Sequence, residues 1–188
     1  MTPLPRTVGI FDEGAALAIT SATVALPAMD FVVQWRRCGI TADYVADYLA
    51  YAFERRDVAR TVITTAANEL LENAAKFTTD KKTAVRIVGR LRGTMLELEV
   101  ENVSDATHIE TLSAVLNALS RGEAPALFAE RLESKERGGL GLIILAKDYA
   151  ARLGARITPR SGAPDGVNGD SFSVTVRAAI DADQMEQR

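Results

Sequence analysis

An α+β fold is predicted for this chain of 188 residues, and three stretches predict it. Val62, Ile63, Ala66, Ala67, Leu70, Ala74 and Phe77 recur at helical intervals, so residues 57–77 read as one amphipathic helix. Residues 84–102 alternate with period two about a turn at Arg92-Gly93, as a half-buried antiparallel hairpin does. Gly138, Gly139 and Gly141 then lead straight into a second apolar helical pattern, beyond which two more strand-like runs follow. The length suits one domain with one core, so residues 1–188 are expected to form a single unit.

In chain order, residues 1–21 read as an N-terminal extension, with short strand-like runs at 8–11 and 17–22 around Asp12-Glu13-Gly14. Residues 23–26 form a strand stopped by Pro27. Asp30 caps a helix that Gly39 ends, and Thr41 caps a second one through about residue 54, with Tyr44, Val45, Tyr48, Leu49 and Phe53 facing inward. Asp57 is the expected cap of the central helix. In the hairpin, Leu96, Leu98 and Val100 face the core, while Glu97, Glu99 and Glu101 form a solvated acidic face. Residues 103–136 are the least regular part, with helical stretches at 109–119 and 124–132. A helix from 140 to about 153 ends at Gly154, strands follow at 155–159 and 171–176, and residues 180–188 read as a fraying tail.

Composition narrows the classes. Hydrophobic residues make up 47% and charged residues 25%, ordinary globular values. A net charge of −3, from 22 basic and 25 acidic residues, argues against a dedicated nucleic-acid surface. A lone cysteine, Cys38, excludes an internal disulfide and any cysteine-cluster metal site, and reads as a packing thiol. The first residues lack the apolar core of a signal peptide, and no apolar run reaches the roughly 18–20 residues of a membrane span. A cytoplasmic location without membrane contact is the expectation. An apolar face on the N-terminal helices is open to pairing as a homodimer.

The candidate chemistry lies at two places. On the central helix Glu69, Asn73 and Lys76 share one stripe, putting a carboxylate, an amide and an ammonium in line. Such a stripe can accept a proton, hold a metal and contact a phosphate, and it serves equally as the solvated face of an ordinary packing helix. Glu72 lies off the stripe, solvated or paired with Lys76. The second place is Arg137-Gly138-Gly139-Leu140-Gly141, where glycines let backbone approach an anion and a helix start offers free N–H groups.

Together, ELLENAAKFT at 69–78 and GGLGLIILAKDYAARLGARI at 138–157 resemble the N box and G2 box of the GHKL (Bergerat-fold) ATP-binding superfamily. Gly169-Asp170-Ser171-Phe172-Ser173-Val174 is similar to the short element before that family's last strand, and the resemblance covers most of residues 22–178. It implies a two-layer α/β sandwich, with a mixed, mostly antiparallel sheet covered on one face by helices. It implies ATP and Mg²⁺, with Asn73 as metal ligand and Glu69 as general base. Lys76 would contact phosphate, Gly139 and Gly141 would form the phosphate turn beside Leu142, Gly138 would be the hinge of a lid at 103–138, and Ser171 would sit near the adenine. The family's D-x-G-x-G box is replaced here by Asn102-Val103-Ser104-Asp105-Ala106. Asn102 at the adenine-reading position accepts a hydrogen bond without charge, and Asp105 could substitute if the loop shifts. Histidine kinases carry a phosphoacceptor histidine upstream of the N box, whereas the only histidine here, His108, lies downstream, read as an exposed loop residue. The chain thus resembles the anti-sigma-factor serine kinase and SiaB-type branch. That resemblance implies an ATP-dependent serine/threonine kinase of a small regulatory partner protein. The alternative is a degenerate, non-catalytic module that acts by binding.

Overall fold

The computed structural model describes residues 4–12, 17–133, 139–160 and 171–183. Their elements run β1 (Arg6–Gly9), β2 (Thr20–Pro27), α1 (Ala28–Val33), α2 (Arg36–Ala50), α3 (Arg56–Phe77), β3 (Ala84–Arg92), β4 (Met95–Asp105), α4 (Ala106–Ser120), α5 (Ala124–Glu133), α6 (Leu140–Tyr149), β5 (Arg152–Pro159) and β6 (Ser171–Asp181). The strands form one sheet in the order β1-β5-β6-β4-β3-β2. The chain is thus α+β with an antiparallel sheet, as expected, and among the described residues every pairing is antiparallel, without the parallel pair that a mixed sheet would include.

Inward positions of the strands supply the floor of the core: Ile87 opposite Val100, Leu98 opposite Ala178, and Ile157 opposite Val174. Onto that floor α3 packs Val62, Ile63, Leu70 and Leu71 together with a run of buried alanines, whose small side chains let α2 and the sheet come close. Gly89 shows how close, since a Cβ there would lie 2.5 Å from Leu49 of α2. The β3–β4 hairpin turns at Gly93, whose φ of 56° suits the first position of a two-residue turn.

Several boundaries differ from the sequence reading. Gly39 does not end a helix: α2 runs through it because Cys38, Thr41 and Ala42 are buried on its inner face, and packing outweighs a glycine's weak helix propensity. The break falls instead at Gln34-Trp35, and α1 has Pro27, not Asp30, at its N-cap. Arg55 rather than Asp57 precedes α3. Tyr44 and Tyr48 face outward, not inward. The helix from Leu140 stops at Tyr149, where Ala150 takes a left-handed φ of 48°, so Arg152 to Gly154 belong to β5. Residues 103–105 extend β4, and α4 is no loose lid: Ile109 and Leu116 are fully buried. Ile180 and Ala182 are buried too, so the fraying tail does not begin at 180. The one cysteine is buried, and burial, then the nearby Glu72 carboxylate, pushes its thiol up to about 11, which keeps it protonated and inert at neutral pH.

The glutamates of β4 are not a solvated face. Glu97 is 4% exposed and bridges Arg92 and Arg177, Glu99 pairs with Arg90 at 2.8 Å, and Glu101 accepts from Ser173. The cause is the segment leaving β1. Ile10 donates to the Leu153 carbonyl at 2.8 Å, and Phe11 lies over the outer face, its ring 5.3 Å from the Arg156 guanidinium and 5.8 Å from that of Arg177. The passage depends on Gly154, where a Cβ would sit 2.4 Å from the Ile10 carbonyl oxygen and 2.8 Å from the Phe11 nitrogen. Backbone cannot swing aside as a side chain does. Gly154→Ala is therefore expected to cost about 2–3 kcal/mol of stability, read as an earlier urea midpoint at unchanged slope. An unchanged midpoint would show that this close approach is not required.

Candidate functional site

Between α3, the sheet and α4 lies a cavity of about 440 Å³. Its floor is Val100, Asn102 and Ser104 of β4 with Val174 and Val176 of β6. One wall is the last two turns of α3, from Leu70 to Phe77. The opposite wall is α4, through Ile109, Leu112 and Val115. Arg131 of α5 and Gly139 and Leu142 at the start of α6 complete it. The lining is mainly apolar, with a few convergent polar groups, the usual make-up of a small-molecule site.

The structure brings Asn73, Lys76, Asn102, Gly139 and Leu142 to this one cavity. Asn73 is the informative one, because its side-chain nitrogen is buried with no hydrogen-bond partner among the described residues. Asn102, 5% exposed, donates its amide at 3.3 Å to the Ala74 carbonyl, which ties the floor to α3. Lys76 is exposed, its ammonium 5.1 Å from the Phe77 ring centroid. Gly139 has a φ of 80° and stands at the N-cap of α6, so the turn into that helix needs a residue tolerant of left-handed geometry. Gly138 lies outside the described residues.

Glu69 and Gly141 meet each other just beyond the lining. A Cβ on Gly141 would be 1.8 Å from Oε2 of Glu69, so the carboxylate rests on the bare Cα of the first turn of α6. Burial, then the charge of Glu72, raises the Glu69 pKa above its ordinary value. Glu72 does not pair with Lys76. It accepts from the Asn68 amide at 2.8 Å, one turn back. Ser171 does not line the cavity; it opens β6 opposite Asp105.

The lining also holds residues that the sequence reading passed over or misread. His108 is no loop residue but part of the first turn of α4, its ring 5.1 Å from that of Phe77 and its Nδ1 3.0 Å from Asp105. Asp105 is not available for the ligand-reading part suggested for it, because it caps α4 by accepting from the His108 N–H at 2.9 Å. Thr111, Leu112 and Arg131 had not been singled out. For the α4 residues the signal was the helical spacing of Ile109, Leu112, Val115 and Leu116, which marks a packed face rather than a loose lid, whereas nothing in the sequence marks Arg131.

Lys76 and Arg131 beside an apolar hollow suit an anionic ligand with an apolar body. Among the described residues, no group of three His, Cys, Asp or Glu side chains could hold a metal. A cation here would need oxygens from a ligand and from water, which is the habit of Mg²⁺. Among the described residues no helix is long and apolar enough to cross a membrane.

No protein-family model and no curated protein sequence matches the chain. Among solved structures, a chain of the SiaB–SiaC complex from Pseudomonas aeruginosa is similar, with a TM-score of 0.59 and 16% identity, over 85% of this chain and 89% of that one. The two therefore share a fold.

Proposed function

We propose that this protein binds Mg·ATP in the cavity beneath α4 and works as a signalling regulator, transferring a phosphoryl group to a serine or threonine of a small partner protein. The observation that carries the reading is Asn73, on the helix that lines the cavity, whose buried side-chain nitrogen has no hydrogen-bond partner among the described residues. A buried unpaired donor costs about 1–3 kcal/mol, so a ligand that satisfies it gains by doing so. The same carboxamide offers an oxygen to a metal ion. Mg²⁺, when bound, would neutralise charge on the phosphates. Lys76 and the N–H groups at the start of α6 would hold phosphate oxygens, and the apolar floor would take the base, with Asn102 beside it.

In the transfer, the bond from the γ-phosphorus to the ADP oxygen breaks and one to the partner's hydroxyl oxygen forms. Glu69 takes the hydroxyl proton, burial having raised its pKa and so made its carboxylate a stronger base, and ADP leaves. The shared fold with a chain of the SiaB–SiaC complex supports a protein partner. Two observations favour a second reading, a non-catalytic binding module: Glu69 stands outside the cavity lining, and Asn102 replaces the acid expected at the adenine.

Calorimetry tests the first step. Wild-type protein with ATP and Mg²⁺ should give saturable heat, and Asn73→Ala should lose about tenfold or more in affinity. Absence of heat at millimolar nucleotide overturns the reading.

A further inference from the structure

The outer face of α2 is unusual for a chain of this size. Ile40, Tyr44, Tyr48 and Tyr51 are 67%, 62%, 53% and 70% exposed, and Val33 just before the helix is 64% exposed. With Trp35 they offer on the order of 700 Å² of largely apolar surface, close to the roughly 800 Å² per partner of a standard interface. The exposed positions also have a symmetry. Within α2, Arg36, Arg37 and Asp47 share the stripe with Ile40, Tyr44 and Tyr48, and each of these six finds another when residue i is set against residue 84 − i, while Val33, Trp35 and Tyr51 extend the patch at its ends. Arg36 then faces Tyr48, Arg37 faces Asp47, and Ile40 faces Tyr44.

We infer that α2 packs antiparallel against α2 of a second copy of this chain, about a two-fold axis near residue 42. An isologous contact must be self-complementary, and this stripe is so chemically as well as by position. Apolar meets aromatic at the centre, a guanidinium meets a tyrosine ring, and Arg37 meets Asp47 twice, once on each side of the axis. A parallel arrangement would instead set Arg37 against Arg37. The present partners of these charges do not oppose the exchange. Arg37 pairs with Asp30 at 2.8 Å and Asp47 with Arg60, both on the surface, where such pairs contribute little.

The symmetry gives a direct test by sedimentation equilibrium without nucleotide, so its result is independent of the ATP reading. Wild-type protein should be dimeric in the micromolar range. Arg37→Asp and Asp47→Arg should each weaken self-association about tenfold or more, because each sets like charges together twice. Mixed one to one, the two variants should form a heterodimer. One then carries acid at both positions and the other base at both, so opposite charges meet on each side of the axis. Tyr44→Glu, at an exposed position that leaves the fold intact, should give monomer with an unchanged circular dichroism spectrum. A wild-type chain that stays monomeric, a dimer indifferent to Tyr44→Glu, or charge variants that do not recombine would each overturn the proposal and leave the stripe to a different partner.

Discussion

Glu97→Ala is expected to lower the unfolding free energy by about 3–5 kcal/mol, the range for removing one partner of a buried ion pair. Glu97 sits between two guanidinium groups: Arg177 donates to its Oε1 at 2.5 Å and Arg92 to its Oε2 at 3.2 Å. The side chains of Glu97 and Arg177 are each 5% exposed, under the segment that carries Phe11. Alanine would leave Arg92 and Arg177 facing each other with little water to solvate them. Desolvation then outweighs any relief of packing, since a buried charge without its partner is far costlier than an absent pair. Arg177→Met is the discriminating control. It removes the charge and keeps the apolar stem, and Glu97 retains Arg92, so its cost should be clearly smaller. Urea unfolding of the two variants gives the comparison, and equal losses would show that packing rather than charge governs the site.

That cluster also marks where the sequence stopped being legible. Period-two alternation in β4 correctly separated Leu96, Leu98 and Val100 from the glutamates, because strand geometry forces alternate faces. It could not tell that the second face is covered, since the cover comes from residues some eighty positions upstream and from Arg177 as far downstream. The long helix, the hairpin and its turn were legible, as local periodicity and a single glycine fix them. The end of α6 was not, for Ala150 holds a left-handed conformation with no glycine to announce it. Gly39 misled in the opposite direction, because nothing local says that the helix around it is held by a buried inner face.

At the site, legibility followed the same division. Residues on one helix, Glu69, Asn73 and Lys76, could be placed relative to each other from spacing alone, and the glycine-lined start of α6 was found because its backbone chemistry shows in composition. The meeting of Glu69 with Gly141, seventy-two positions away, needed the fold. So did the roles of Asp105 as a helix cap and of His108 and Arg131 as lining, which depend on α4 and α5 closing over the sheet.

The largest effect on activity is expected at that meeting. On the proposed function, Glu69→Gln should reduce the rate of phosphoryl transfer about 10²–10⁴-fold, the usual contribution of a positioned proton acceptor, while Mg·ATP binding stays near wild type. The same change should raise Tm at pH 7. Burial and Glu72 raise the Glu69 pKa in the folded state, so folding favours the protonated carboxyl. The stability this proton contributes is complete below the unfolded value of about 4.3 and is lost as pH rises through the higher folded value. Glutamine never carries the charge, so its advantage is absent below about pH 4.3 and grows as pH rises from there through the folded value. Gly141→Ala should slow transfer to a similar degree by another route, because the new methyl group occupies the place of the Glu69 carboxylate and drives it aside. Alanine is a better helix former than glycine by about 1 kcal/mol, so this variant should not be less stable. The two changes act on one group, so Gly141→Ala added to Glu69→Ala should cost nothing further in rate. Full activity in Gly141→Ala would mean that the carboxylate does not work from the position it holds here. Additive losses would mean that the glycine serves the phosphates directly, with α6 backbone rather than Glu69 setting the rate.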